Sequence, residues 1–179
     1  RGLLGSEYYG VHPTVPLETM AANLTMDVLQ PNGPARDVVL IGSGQNSLED
    51  MLVKAAKIQD RTVTPDARPE RALFYRADHF SLARRGVPVL LMMGLGGGAD
   101  LIEGGRAAGD KWVNDYTAKC YHQTCDAWSA DWDLRGAAQD VALLYDMGQE
   151  LANPGVWPSW KPDSEFGPVR DASAAKRAK

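Results

Sequence analysis

Apolar and polar positions along this chain follow two rhythms, and the changes between them mark its elements. Leu3, Leu4, Tyr8 and Tyr9 recur at helical spacing and stop at His12-Pro13, because proline disfavours helical backbone in the residue before it. Pro13 and Pro16 then form a connection. Residues 21–29 read as a strand closed by the turn Pro31-Asn32-Gly33-Pro34. Residues 37–42 hold four consecutive apolar positions, the mark of a strand covered on both faces. Asn46-Ser47 with Glu49 and Asp50 behind them is helix-start chemistry, and Leu48, Met51, Leu52, Ala55 and Ala56 continue at helical spacing. Residues 61–69 read as a polar linker and residues 82–85 as part of a short helix. Residues 87–93 form the most hydrophobic run, an interior strand in which Pro88 is tolerable only near the start.

The second half is less regular. Gly94-Leu95-Gly96-Gly97-Gly98-Ala99-Asp100 follows a strand as a dinucleotide fingerprint does. Further glycines (Gly104, Gly105, Gly109) replace the apolar helix that such a fingerprint requires, so a mobile surface loop is expected in preference to a phosphate cradle. Ala137, Val141, Leu144, Tyr145 and Leu151 predict a long amphipathic helix that stops at Asn153-Pro154. Trp157, Trp160 and Phe166 are expected to anchor an extended tail, frayed over residues 172–179. Two units follow, a body over residues 1–153 and a tail over 154–179. Strands alternating with helices predict an α/β three-layer sandwich with a mixed, largely parallel sheet, in which ligands gather beyond the carboxyl ends of strands.

Composition narrows the function classes. The chain of 179 residues is 44% apolar, enough for one domain with a real core. With 19 basic and 23 acidic residues the net charge is −4, and no basic stripe exists to neutralise nucleic-acid phosphates. No apolar run is long enough to span a bilayer. Cys120 and Cys125 flank His122; a short-loop disulfide and a Cys-His-Cys zinc knot are the two options, the knot weaker because structural zinc takes four ligands. Candidate chemistry centres on Tyr121-His122-Gln123-Thr124-Cys125-Asp126 and on Asp78-His79. In each, a histidine has an acid and an aromatic residue close by, an arrangement that orients an imidazole for a metal or a proton. A purely structural polar cluster is the alternative.

Five stretches occur in one order: Gly2-Leu3-Leu4-Gly5-Ser6, Asn23-Leu24-Thr25-Met26-Asp27, Tyr75-Arg76-Ala77-Asp78-His79-Phe80, Gly86-Val87-Pro88, and Tyr121-His122 with Asp126. Together they resemble the zinc-dependent exopeptidases of the bacterial leucyl aminopeptidase type, relatives of glutamate carboxypeptidase and glutaminyl cyclase. The resemblance implies two zinc ions acting on a peptide substrate, with Asp27 similar to the second ligand aspartate and His122 to the second ligand histidine, each on a different metal. Asp78 and His79 match an element expected to orient the site wall. Asp126 belongs to the same surroundings, and Tyr75 is either pocket or core. Thr25 stands where asparagine is usual and Ala77 where serine is usual, which removes polar support.

The family's general-base and ligand glutamates precede Gly-Leu-Leu-Gly-Ser, so here they are expected immediately upstream of Arg1, with the first histidine and bridging aspartate further upstream. The chain therefore resembles the C-terminal portion of a secreted or periplasmic catalytic domain, its sheet incomplete on the N-terminal side. By itself it is expected to hold zinc weakly, to be inactive, and to self-associate through the uncovered sheet edge. A non-catalytic module on the same scaffold and one half of a two-chain enzyme are the alternatives.

Overall fold

The computed structural model describes residues 2–153 and 155–177. Arg1, Pro154, Ala178 and Lys179 lie outside the described residues, and with them the motif junction expected at Arg1, the helix stop expected at Pro154 and the last two residues of the tail.

The core is a mixed four-stranded sheet in the order β1-β4-β2-β3, formed by Asn23–Met26 (β1), Asp37–Ile41 (β2), Thr62–Pro65 (β3) and Val89–Met92 (β4). β1 pairs parallel with β4, and β2 parallel with β3. The two pairs meet antiparallel at Leu40–Met92 and Ile41–Leu91. The carboxyl ends of β1 and β4 therefore share one rim, and those of β2 and β3 the other. The sheet is open, with β1 and β3 as its edges.

Side chains alternate across the two central strands, which explains their unbroken apolar runs. Val38, Leu40, Leu90 and Met92 face helices α2 (Leu48–Ile58) and α5 (Arg135–Leu151) through Leu48, Leu52, Leu143 and Met147. Val39, Ile41, Val89 and Leu91 face α3 (His79–Ala83) and the tail residues Trp160 and Phe166. Each fully buried aliphatic side chain contributes on the order of 1.5–3 kcal/mol. α1 (Leu4–Val11) packs beside α3, where Glu7 holds Arg84 and Arg85.

Three readings need correction. Residues 61–69 are not simply a polar linker, because Thr62–Pro65 forms the edge strand β3; an edge needs no continuous apolar run, and its positions are exposed or half-buried. The glycine run is not a surface loop, because Leu95 to Gly98 are buried and a helix, α4 (Gly105–Lys119), lies on them. A Cβ added at Gly109 would stand 2.1 Å from the Ala99 carbonyl oxygen, and one at Gly98 would stand 2.1 Å from the Asp110 nitrogen. The glycines thus permit backbone-to-backbone packing. Finally, the tail is not frayed from residue 172. It carries α6 (Gly167–Asp171) and a 3-10 turn over Ala174–Lys176, whose lysine pairs with Glu18. Trp160 and Phe166 are buried anchors, whereas Trp157 remains exposed under Arg170.

A buried carboxylate fastens α4 to the sheet. Asp37, 1% exposed, accepts hydrogen bonds from the Asp100 nitrogen, the Thr64 hydroxyl and the Arg106 guanidinium, at 2.7, 2.6 and 2.6 Å. Satisfying so buried a charge from three elements fixes their mutual position.

Candidate functional site

Asp27 stands one residue beyond the carboxyl end of β1. Its nitrogen donates to the Met92 carbonyl at 3.1 Å, extending the β1–β4 pairing, and its Oδ1 accepts from the Val28 nitrogen at 2.7 Å. The next bond along, from the Gly94 nitrogen to the Val28 carbonyl at 2.7 Å, pins this corner of the rim. Thr25, the residue in the usual asparagine position, gives its hydroxyl to Asn23 Oδ1 at 2.7 Å.

Helix α4 brings the second element to this rim. Trp112 and Tyr116 lie one turn apart on it, with parallel stacked rings 5.3 Å between centroids. Trp112 also lies over Gly94. Tyr116 donates its hydroxyl to Asp126 Oδ1 at 2.9 Å, and Asp126 Oδ2 accepts from the His122 nitrogen at 3.4 Å. Burial pushes the Tyr116 phenol well above its ordinary value. The hydrogen bond to Asp126 and the charges of Asp126, Tyr121 and Asp27 push the same way. Tyr116 therefore ties the His122 loop to α4 through Asp126, and the charge of Asp27 is the weakest influence on its phenol.

The loop itself has an unusual backbone. Cys120 and Cys125 form a disulfide with their Cα atoms 5.3 Å apart, which removes the Cys-His-Cys zinc knot from consideration. Between them His122 takes a left-handed conformation, φ 64°, and its ring lies on Tyr121 at 3.9 Å.

Asp78 and His79 separate. Asp78 is exposed at the start of α3, while His79 is 1% exposed, edge-on to Phe74 at 4.8 Å, with neither ring nitrogen hydrogen-bonded among the described residues. Burial lowers the His79 pKa to about 4, opposed only by the Asp78 charge. Tyr75 is half-exposed and donates to Glu165 at 3.1 Å. It lines a cavity of about 260 Å³ with Gly42, Ser43, Asp66 and Phe74, at the rim opposite Asp27.

Sequence reasoning missed Trp112 and Tyr116, the α4 residues that reach from the Gly94 corner of the rim to the His122 loop. Their spacing of four, Trp112-Val113-Asn114-Asp115-Tyr116, is the signal that marks one helix face, obscured by the glycines before it.

The sequence profile of peptidase family M28 matches residues 1–145. The chain belongs to peptidase family M28. M28 is a zinc-dependent exopeptidase family, so the coarse class of this protein is hydrolase, peptidase and metallopeptidase. No curated protein and no solved structure matches the chain. Asp27 and His122 have the donor chemistry an M28 zinc site uses, but among the described residues no three His, Cys, Asp or Glu side chains converge on one point. The described residues alone therefore do not gather a three-ligand zinc site.

Proposed function

We propose that this chain forms the C-terminal part of the catalytic domain of an M28 metallo-aminopeptidase, which removes N-terminal residues from peptides. Asp27 and His122 each donate to a different zinc ion, Asp126 positions the His122 loop, and the general-base glutamate and remaining donors come from polypeptide outside these residues. The reading is supported by the family match over residues 1–145 and by α4, whose Trp112 lies over Gly94 at the corner of the rim that follows Asp27 and whose Tyr116 holds the His122 loop through Asp126. With one protein ligand for each metal, where catalytic zinc takes about three, the chain by itself binds zinc weakly and hydrolyses nothing at a useful rate. The disulfide agrees with a secreted or periplasmic setting.

Calorimetric titration of the chain with zinc is the direct test: tight stoichiometric binding would sink the reading. Joined to polypeptide supplying the missing donors, the chain gains zinc and releases nitroaniline from an aminoacyl-p-nitroanilide, and Asp27→Asn or His122→Asn each abolishes that activity.

The open edge strand β1 carries exposed Met26, and Leu4, Tyr8, Val11 and Val15 expose further apolar surface. Such an edge favours pairing with another chain, and we infer that the chain by itself self-associates. Light scattering that gives a monomer at high concentration counts against this.

A further inference from the structure

Residues 122–128 are all exposed, so no core encloses their backbone, and local devices contribute to holding His122. Several are in place. The Gln123 nitrogen donates to the Cys120 carbonyl at 2.8 Å and the Asp126 nitrogen to the Gln123 carbonyl at 3.0 Å, while Asp126 Oδ2 receives the His122 nitrogen. Water competes for every one of these bonds at an exposed site. The disulfide is different, because it holds the two ends of the turn covalently while residue 122 occupies a region of φ that side chains other than glycine seldom adopt.

We propose that the Cys120–Cys125 disulfide is a positioning clasp for His122 that a dithiol can open. Closed, it holds His122 at positive φ with the imidazole stacked on Tyr121. Open, the loop relaxes to negative φ and the imidazole leaves the Tyr121 ring. Cys125 is exposed and Cys120 half-buried, so attack falls on the Cys125 sulfur. A thiolate of the dithiol bonds to Cys125 Sγ, the Cys120–Cys125 bond breaks, and Cys120 departs as a thiolate that takes up a proton. The second thiol of the reductant then displaces Cys125, leaving two protein thiols and the oxidised, cyclic disulfide of the reductant, a transfer of two electrons and two protons. An oxidising compartment keeps the clasp shut. The further consequence, that opening weakens zinc binding, rests on the reading of His122 as a ligand; the geometric claim does not.

The test uses the whole chain in three forms: oxidised, treated with dithiothreitol, and as the double variant Cys120→Ser, Cys125→Ser. Proton NMR reads the Tyr121–His122 ring contact and the ring-current shift of the imidazole. The oxidised chain is expected to show both. The reduced chain and the variant are expected to lose both while the Trp112–Tyr116 contact persists, showing that α4 remains folded. Persistence of the Tyr121–His122 contact and shift after complete reduction would overturn the clasp, as would two thiols titrating in protein prepared without reductant. Zinc affinity is read separately, on the chain joined to the remaining donors. A fall of at least tenfold on reduction supports the clasp and the ligand together. Loss of the ring contact with unchanged affinity upholds the clasp and removes His122 from the ligand set.

Discussion

His79 and His122 look alike in the sequence, each with an acid and an aromatic neighbour, yet the fold gives them opposite surroundings. His79 is sealed in the core against Phe74, its ring nitrogens without hydrogen bonds among the described residues and its pKa lowered to about 4 by burial. His122 is held in an exposed loop by a disulfide, a carboxylate and a stacked tyrosine. One position is dictated by packing and resists protonation. The other is dictated by local chain chemistry and stays accessible. Neighbouring residue types therefore nominate a histidine but do not assign it; solvent access and the element that carries it do.

The contrast can be broken most forcefully through the seat of α4. Gly109→Ala forces a Cβ into the Ala99 carbonyl, against backbone that cannot step aside, and is expected to cost at least about 3 kcal/mol in chemical denaturation. Near-ultraviolet circular dichroism should show the Trp112 and Tyr116 signals disturbed.

A second test reads the burial of His79 through pH. His79 titrates at 6.5 when unperturbed and at about 4 in the fold, so as pH falls the unfolded chain takes the proton first. Stability is whole above pH 6.5 and is expected to drop by about 3 kcal/mol by pH 4. His79→Leu should flatten that profile.

Tyr116→Phe removes the hydroxyl that restrains Asp126 and should cost about 1 kcal/mol or less. In the unaltered chain, ultraviolet titration should find the Tyr116 phenol ionising well above the ordinary tyrosine range, and Tyr116→Phe should abolish that component. Smallest of all, His122→Asn, which keeps a residue tolerant of positive φ, should change stability by less than about 0.5 kcal/mol.

Much of the framework was legible. The apolar runs at 37–42 and 87–93 mark the two central strands because both their faces are buried, and the spacing of Leu48, Met51 and Leu52 marks α2. What escaped was structure whose cause is not apolar periodicity. β3 is a half-buried edge ending in proline, and α4 is seated by glycines where a pattern reading looks for large side chains. At the site, the motif order led to the family, and residue chemistry raised the Cys120–Cys125 bond as one of two options. The burial of His79 and the bridging position of Tyr116 depend on contacts between distant segments, which no local spacing encodes.

The tail has a bearing on the timing of folding. The Trp160 indole donates to the Gly86 carbonyl at 2.9 Å, Arg170 to the Met20 carbonyl at 2.9 Å, and the Lys161 nitrogen to the Gln45 carbonyl at 2.8 Å. These bonds join the last stretch of the chain to three segments made much earlier. During synthesis the sheet must wait, with one face only partly covered by α3, until Trp160 and Phe166 emerge to close it. Truncations ahead of Trp160 should therefore yield a nascent protein that depends on chaperones, however intact its strands.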